Sequence, residues 1–148
     1  MDISTIYPEL VVLGAGLVLL LVARFIHKGS FSALWTILAA IGALGVSYWV
    51  YSTAGPQTGF GGAFALDGYS QFFNVLFCIN LALAACLSLG YIAADKAPMA
   101  EYYTLLLLAT TGAMTVASAL DLMTLYLGLE LMALSTCVLV GITRDADT

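Results

Sequence analysis

Charge is scarce in this sequence. Lys and Arg together number four, His one, and charged residues make up 9% of 148. A soluble domain carries about 25% charged residues to solvate its surface. No basic cluster is present to meet a phosphate backbone, so nucleic acid is excluded as a partner, and the net charge of −5 is spread over the loops without a patterned patch. Cysteine is equally sparse. Cys78, Cys86 and Cys137 all sit inside apolar runs without CxxC or other ligand spacing, and they read as small buried hydrophobes rather than disulfide or metal residues. The single histidine, His27, stands between Arg24 and Lys28 and reads as a solvated interfacial residue, not a haem ligand. With no GxGxxG after a strand, no phosphate loop and no cysteine set for an iron–sulfur cluster, the residues provide for no cofactor in this chain.

What the sequence has in abundance is apolar length. It is 62% hydrophobic with a mean hydropathy of +1.03, a composition that a bilayer tolerates as solvent. A hydrocarbon core of about 30 Å needs roughly 20 apolar residues as a helix. Five stretches meet that need: Ile6 to Phe25, Phe31 to Tyr51, Gln71 to Ala94, Tyr102 to Leu120 and Leu122 to Thr143. The expected fold is therefore all-α, a single polytopic membrane domain of five transmembrane helices. Arg24, His27, Lys28 and Gly29, then Gly55, Pro56 and the glycines 59, 61 and 62, then Asp95, Lys96 and Pro98 punctuate the first three breaks. Only Ala119 to Asp121 separate the last two spans, which predicts a tight antiparallel hairpin. Arg24, Lys28, Lys96 and Arg144 fall in alternate loops and the tail, which predicts an outside N-terminus and a cytoplasmic C-terminus. Asp2 and Glu9 in place of a basic leader predict that the first span stays attached rather than acting as a signal peptide, in a bacterial inner membrane or its equivalent.

Glu130 is the residue that such a chain must explain. It lies nine residues past Asp121, about 13 Å along the helix axis and close to mid-membrane. An ionised carboxylate is costly there and by default marks an ion or proton pathway. Its expected face neighbours, Met123, Tyr126, Leu127, Ala133, Leu134 and Cys137, include no base, and the four cations of the chain sit at membrane boundaries. Glu130 is then either protonated and neutral or paired with a group outside these 148 residues. Thr104, Thr111, Thr115 and Ser118 form one stripe on the fourth span, expected to pack against the fifth. Asn74 and Asn80 read as interhelical hydrogen-bonding groups. Gly14, Gly16, Gly42 and Gly45 read as packing glycines. Tyr48, Trp49, Tyr51, Tyr91, Tyr102 and Tyr103 read as an interfacial aromatic belt.

The run Glu101-Tyr-Tyr-Thr-Leu-Leu-Leu-Leu-Ala-Thr-Thr-Gly-Ala-Met, followed by Ala119-Leu-Asp-Leu-Met-Thr-Leu-Tyr-Leu-Gly-Leu-Glu-Leu-Met-Ala-Leu, resembles subunit N of NADH-quinone oxidoreductase. That family is an antiporter-like subunit of the membrane arm of respiratory complex I, built on inverted helical repeats. The resemblance implies that Glu130 is the fifth-helix glutamate, which tunes a lysine on a later, broken helix and takes part in proton translocation. No lysine of this chain matches that partner, and the sequence stops within the first repeat, which implies a truncated or split subunit. The resemblance further implies a non-redox part of a translocase with no catalytic activity of its own. Its partners would be other membrane-arm subunits and the bilayer, with flavin, iron–sulfur clusters and quinone held by partner subunits. Two rival readings are a subunit of a multi-component sodium/proton antiporter and a structural membrane subunit in which Glu130 only fixes packing.

Overall fold

A computed structural model describes residues 3–23, 29–95 and 99–145, with side-chain surroundings for 4–22, 31–88 and 100–142. Five helices dominate: α1 (Tyr7–Ala23), α2 (Gly29–Ala54), α3 (Gly68–Asp95), α4 (Met99–Ser118) and α5 (Leu122–Asp145). A 3-10 turn at Ile3–Ile6 leads into α1. Arg24, His27, Lys28, Lys96 and Pro98, whose placement predicted orientation and loop position, lie outside the described residues.

The helix ends follow local chemistry, and this is where the boundaries depart from hydropathy. α2 runs past Tyr51 to Ala54 because the Ser52 and Thr53 hydroxyls donate to the Trp49 carbonyl, at 2.9 and 2.8 Å, and so need no water. Gly55 then takes a positive φ of 68° and donates to the Tyr51 carbonyl, a left-handed stop that a side chain would strain. α3 begins early at Gly68 because Asp67 caps it. The Asp67 carboxylate accepts from the Ser70 amide at 2.8 Å, and the Asp67 amide donates to the Ser70 hydroxyl oxygen at 3.0 Å, a reciprocal capping box. α4 stops at Ser118 rather than Leu120 because the next two residues are taken up in extended pairing with the loop after α2.

That loop adds a small β element to an otherwise helical fold. Gln57–Gly59 (β1) and Phe64–Leu66 (β2) form a two-stranded antiparallel hairpin in register Gln57 to Leu66 and Gly59 to Phe64. Phe64 bridges Ala119, and Leu120 donates its amide to the Ala63 carbonyl at 2.9 Å. Gln57 donates to Ser4 at 2.9 Å, tying β1 to the turn before α1. Glycine-rich, weakly apolar sequence reads as loop, and only its tertiary neighbours turn it into a ladder. These contacts, with Ser47 donating to Gln71 at 2.6 Å, gather the starts of α1, α3 and α5 and the ends of α2 and α4 at one end of the bundle. The helices therefore alternate in direction along the chain.

Four helices have the length and apolarity to cross a bilayer, over Ser4–Val22, Phe31–Ala54, Gly68–Ser88 and Leu122–Ile142. α4 is more polar, carrying Glu101, Thr104, Thr110, Thr111 and Thr115 along 20 residues. Its position explains this. α4 packs against α1, α3 and α5, and its threonines satisfy their hydroxyls on carbonyls one turn back, at 2.8–2.9 Å. A helix enclosed by other helices does not require the lipid-facing apolar surface that identifies a span by composition.

The core lies among α1 to α4: Val12 and Leu19, Ala33, Ala40 and Ala43, Cys78, Leu81 and Ala85, then Tyr103, Leu107 and Met114. Tyr103 is fully buried and its hydroxyl lies 3.1 Å from the Ser88 hydroxyl, so it is a core residue and not part of an interfacial belt. Tyr48 and Trp49 are well exposed, as an interface anchor requires. The side chain of Tyr91 lies outside the described surroundings.

Candidate functional site

α5 contributes nothing to that core. It is attached to the side of the bundle through one close crossing with α4, centred on Gly112 and Gly128. A methyl built on Gly112 would sit 2.7 Å from the Met132 amide nitrogen and 2.8 Å from the Gly128 carbonyl oxygen. One built on Gly128 would sit 3.0 Å from the Gly112 carbonyl oxygen and 2.9 Å from a Val116 methyl. The two backbones touch because neither residue has a side chain, the usual means by which membrane helices associate closely. Gly14 and Gly45, read from sequence as packing glycines, have open space at their Cβ positions, while Gly16 touches Leu107 and Gly42 approaches Val11. The two glycines that matter most were not singled out, because a lone small residue on each of two helices gives no pattern until the helices are paired.

The crossing fixes which way α5 faces. Thr124, Gly128 and Ser135 are buried against α4. Glu130 is two residues past Gly128, about 200° round the helix, and is exposed on the opposite side. Every one of its expected face neighbours, Met123, Tyr126, Leu127, Ala133, Leu134 and Cys137, is exposed with it. The carboxyl is thus at the centre of an outward apolar face, with no hydrogen bond or ion pair among the described residues. Among the described residues, no group of three or more His, Cys, Asp or Glu side chains converges.

Asp121 sets where that face begins. Its carboxylate caps α5 by accepting from the Thr124 amide at 2.8 Å. The Thr124 hydroxyl and amide hold the Asp121 carboxyl below the ordinary carboxylate range. A depressed carboxylate adds stability above its unfolded value and loses it as pH falls through its folded one. Asp121→Asn is therefore expected to lower the thermal midpoint of the detergent-solubilised protein at neutral pH. The gap to wild type should close below roughly pH 4. A gap that stays constant down the acid limb would rule out the cap as its source.

The other polar residues fall out differently from their sequence reading. Of the stripe on α4, Ser118 turns toward α1, its hydroxyl oxygen 2.6 Å from Glu9. Gly112 and Val116 on the adjoining face make the close contact with α5. Asn74 is buried beside Glu9, whereas Asn80 is exposed on the outer face of α3 between Leu76 and Leu83. Cys78 is buried; Cys86 and Cys137 are exposed, and all three are free thiols. Glu9 itself, read only as part of an acidic start, is buried at 3% exposure. Its one sequence signal was an acid inside the first apolar span.

No protein-family model matches the chain. Curated relatives do. NADH-quinone oxidoreductase subunit N of Dehalococcoides mccartyi is 36% identical over 138 residues, which is 93% of this chain and 28% of the relative. The protein of the same name from Trichlorobacter lovleyi is 35% identical over 147 residues, 98% of this chain and 30% of the relative. NADH-quinone oxidoreductase subunit N 2 of Rhizobium meliloti is 36% identical over 137 residues, 93% of this chain and 29% of the relative. The chain thus spans less than a third of the length of the relatives it matches.

Proposed function

We propose that this chain, a relative of NADH-quinone oxidoreductase subunit N over nearly its whole length, works as part of a proton-translocating subunit in the membrane arm of that complex. Glu130 would be its midplane proton-handling group. The observation that carries the proposal is the outward position of Glu130 on α5, amid apolar neighbours and opposite the Gly112–Gly128 crossing. A carboxyl in an apolar face is costly against lipid, so the face calls for a protein cover with polar or cationic groups. The relatives are more than three times as long as the matched stretch, and further helices of that length could supply the cover and its lysine. All five helices, α4 included, would lie in the membrane, with the hairpin end outside and the α5 terminus on the cytoplasmic side.

In this reading no electron passes through the chain. Quinone reduction elsewhere changes charge and hydration near Glu130, which then exchanges a proton with its partner base. The reading in which Glu130 merely fixes packing is disfavoured within this chain, because α5 is held from the other side by backbone contact. Glu130→Gln keeps size and polarity but removes the exchangeable charge. In the assembled complex, reconstituted in vesicles, it is expected to lower coupled turnover or protons moved per electron by tenfold or more, in line with loss of a positioned acid or base. Wild-type pumping at wild-type turnover would reject the proposal. Sodium-dependent transport in the absence of any redox partner would favour the antiporter reading instead.

A further inference from the structure

A second acid lies inside the bundle, buried with few hydrogen-bond donors beside it. Glu9 stands on the first turn of α1, where α1 meets α3 and α4 at the hairpin end. Glu9, Ser118 and Asn74 are 3%, 1% and 1% exposed. The Ser118 hydroxyl oxygen lies 2.6 Å from Glu9 Oε1 and 2.7 Å from the Met114 carbonyl oxygen. Ser118 has one hydroxyl hydrogen and two acceptors claim it. Glu9 Oε2 and Asn74 Oδ1 are also buried acceptors, and neither has a hydrogen-bond donor. The Asn74 side chain lies within hydrogen-bonding reach of the carboxyl.

An ionised Glu9 would be a buried charge at 3% exposure, met only by the neutral donors of Ser118 and of an Asn74 amide turned to present its N–H2. Each unmet buried acceptor costs on the order of 1–3 kcal/mol, and a charged one more. Water does not cure the deficit, because Oε2 and Oδ1 have no room for a water against them. A carboxyl proton removes the charge and supplies one hydrogen, on one oxygen at a time. A carboxylic O–H on Oε1 would donate to Ser118, freeing the serine to donate to Met114, and on Oε2 it could donate to Asn74. The 2.6 Å separation suits a short O–H···O bond in either sense.

We infer that Glu9 is a proton-binding site distinct from Glu130, a carboxylic acid held between Ser118 of α4 and Asn74 of α3. Loss of its proton leaves an uncompensated carboxylate in a dry contact, so release to the aqueous phase at the hairpin end requires α1 and α4 to part and admit water. Among the described residues, the titratable group facing it is the Cys78 thiol of α3. The acids at the same end, Asp67 and Asp121, are exposed at helix caps. The inference does not depend on the role proposed for Glu130.

Infrared spectroscopy of the full-length protein in its native complex provides the test. At neutral pH the wild-type-minus-Glu9→Gln difference spectrum is expected to show complete loss of one protonated carboxylic C=O band and no loss of a carboxylate pair. Loss of carboxylate bands with no protonated band would overturn the assignment. Should Glu9→Gln fail to assemble, Ser118→Ala and Asn74→Ala provide the same reading. At least one must shift a protonated C=O band in frequency, because both side chains touch the acid, and no shift in either overturns it.

Discussion

Gly112→Ala is expected to destabilise the protein, although helix propensity alone predicts a gain of about 1 kcal/mol over glycine. The added methyl would meet backbone atoms of α5 at 2.7 and 2.8 Å, which no rotamer change relieves, so the helices must separate. Overpacking of this kind costs about 1–3 kcal/mol, and Gly112→Leu should cost more than that range and uncouple α5 from the bundle. Loss of α5 docking would be read as a fall in thermal midpoint in detergent together with new protease cleavage near Ala119 to Asp121. Gly45→Ala is the matched control: nothing lies within 4 Å of its Cβ position, and it should be neutral or stabilising. If Gly112→Ala behaves like Gly45→Ala, the close crossing is not present in solution. Gly128→Ala should act in the same sense, and the pair should be less than additive because either methyl alone opens the crossing.

Tyr103→Ala is expected to cost about 3–5 kcal/mol, the range for deleting a buried aromatic side chain. Tyr103 has no solvent exposure and packs in the core shared by α1 to α4. Its hydroxyl lies 3.1 Å from Ser88, which also donates to the Ala85 carbonyl at 3.1 Å. Tyr103→Phe should therefore cost only about 1 kcal/mol, since Ser88 keeps a partner on its own helix. A belt residue would give the opposite ranking: a modest loss for alanine and sensitivity to lipid headgroup rather than to ring volume. Equilibrium unfolding of the two variants in one detergent separates the cases. The protonation of Glu9 should be unaffected by either, as Ser118 and Asn74 are its contacts.

The helices were legible because their cause is local. Apolar runs of bilayer length, broken by Gly, Pro and charge, fix where helices lie whatever they pack against, and all five are present within a few residues of their expected ends. Glu130 was legible for a related reason: an acid in such a run stands out by composition alone. What failed involved pairs. Asn80 and Tyr103 were assigned by type and depth, but whether a side chain at given depth meets lipid or a neighbouring helix depends on rotation about the helix axis. That rotation is set by the partner helix. Glu9 was passed over because its significance comes from Asn74 and from Ser118, 109 residues away along the chain.

The sequence by itself determined a helical membrane protein, the number of its helices and their approximate positions, the presence of an acid inside an apolar run, and its relationship to a family. Each of these rests on composition or on residues close together in the chain, for which the bilayer and the backbone provide the constraint. Tertiary structure alone decided that Gly112 and Gly128 meet, and hence that Glu130 faces away from the bundle. It also decided that the glycine-rich loop pairs as a hairpin against Ala119, and that Glu9 lies dry between two other helices. These are facts about which surfaces touch, and contact between distant segments is fixed by shape and by the hydrogen-bond balance of the assembled interior, which no single stretch of sequence contains.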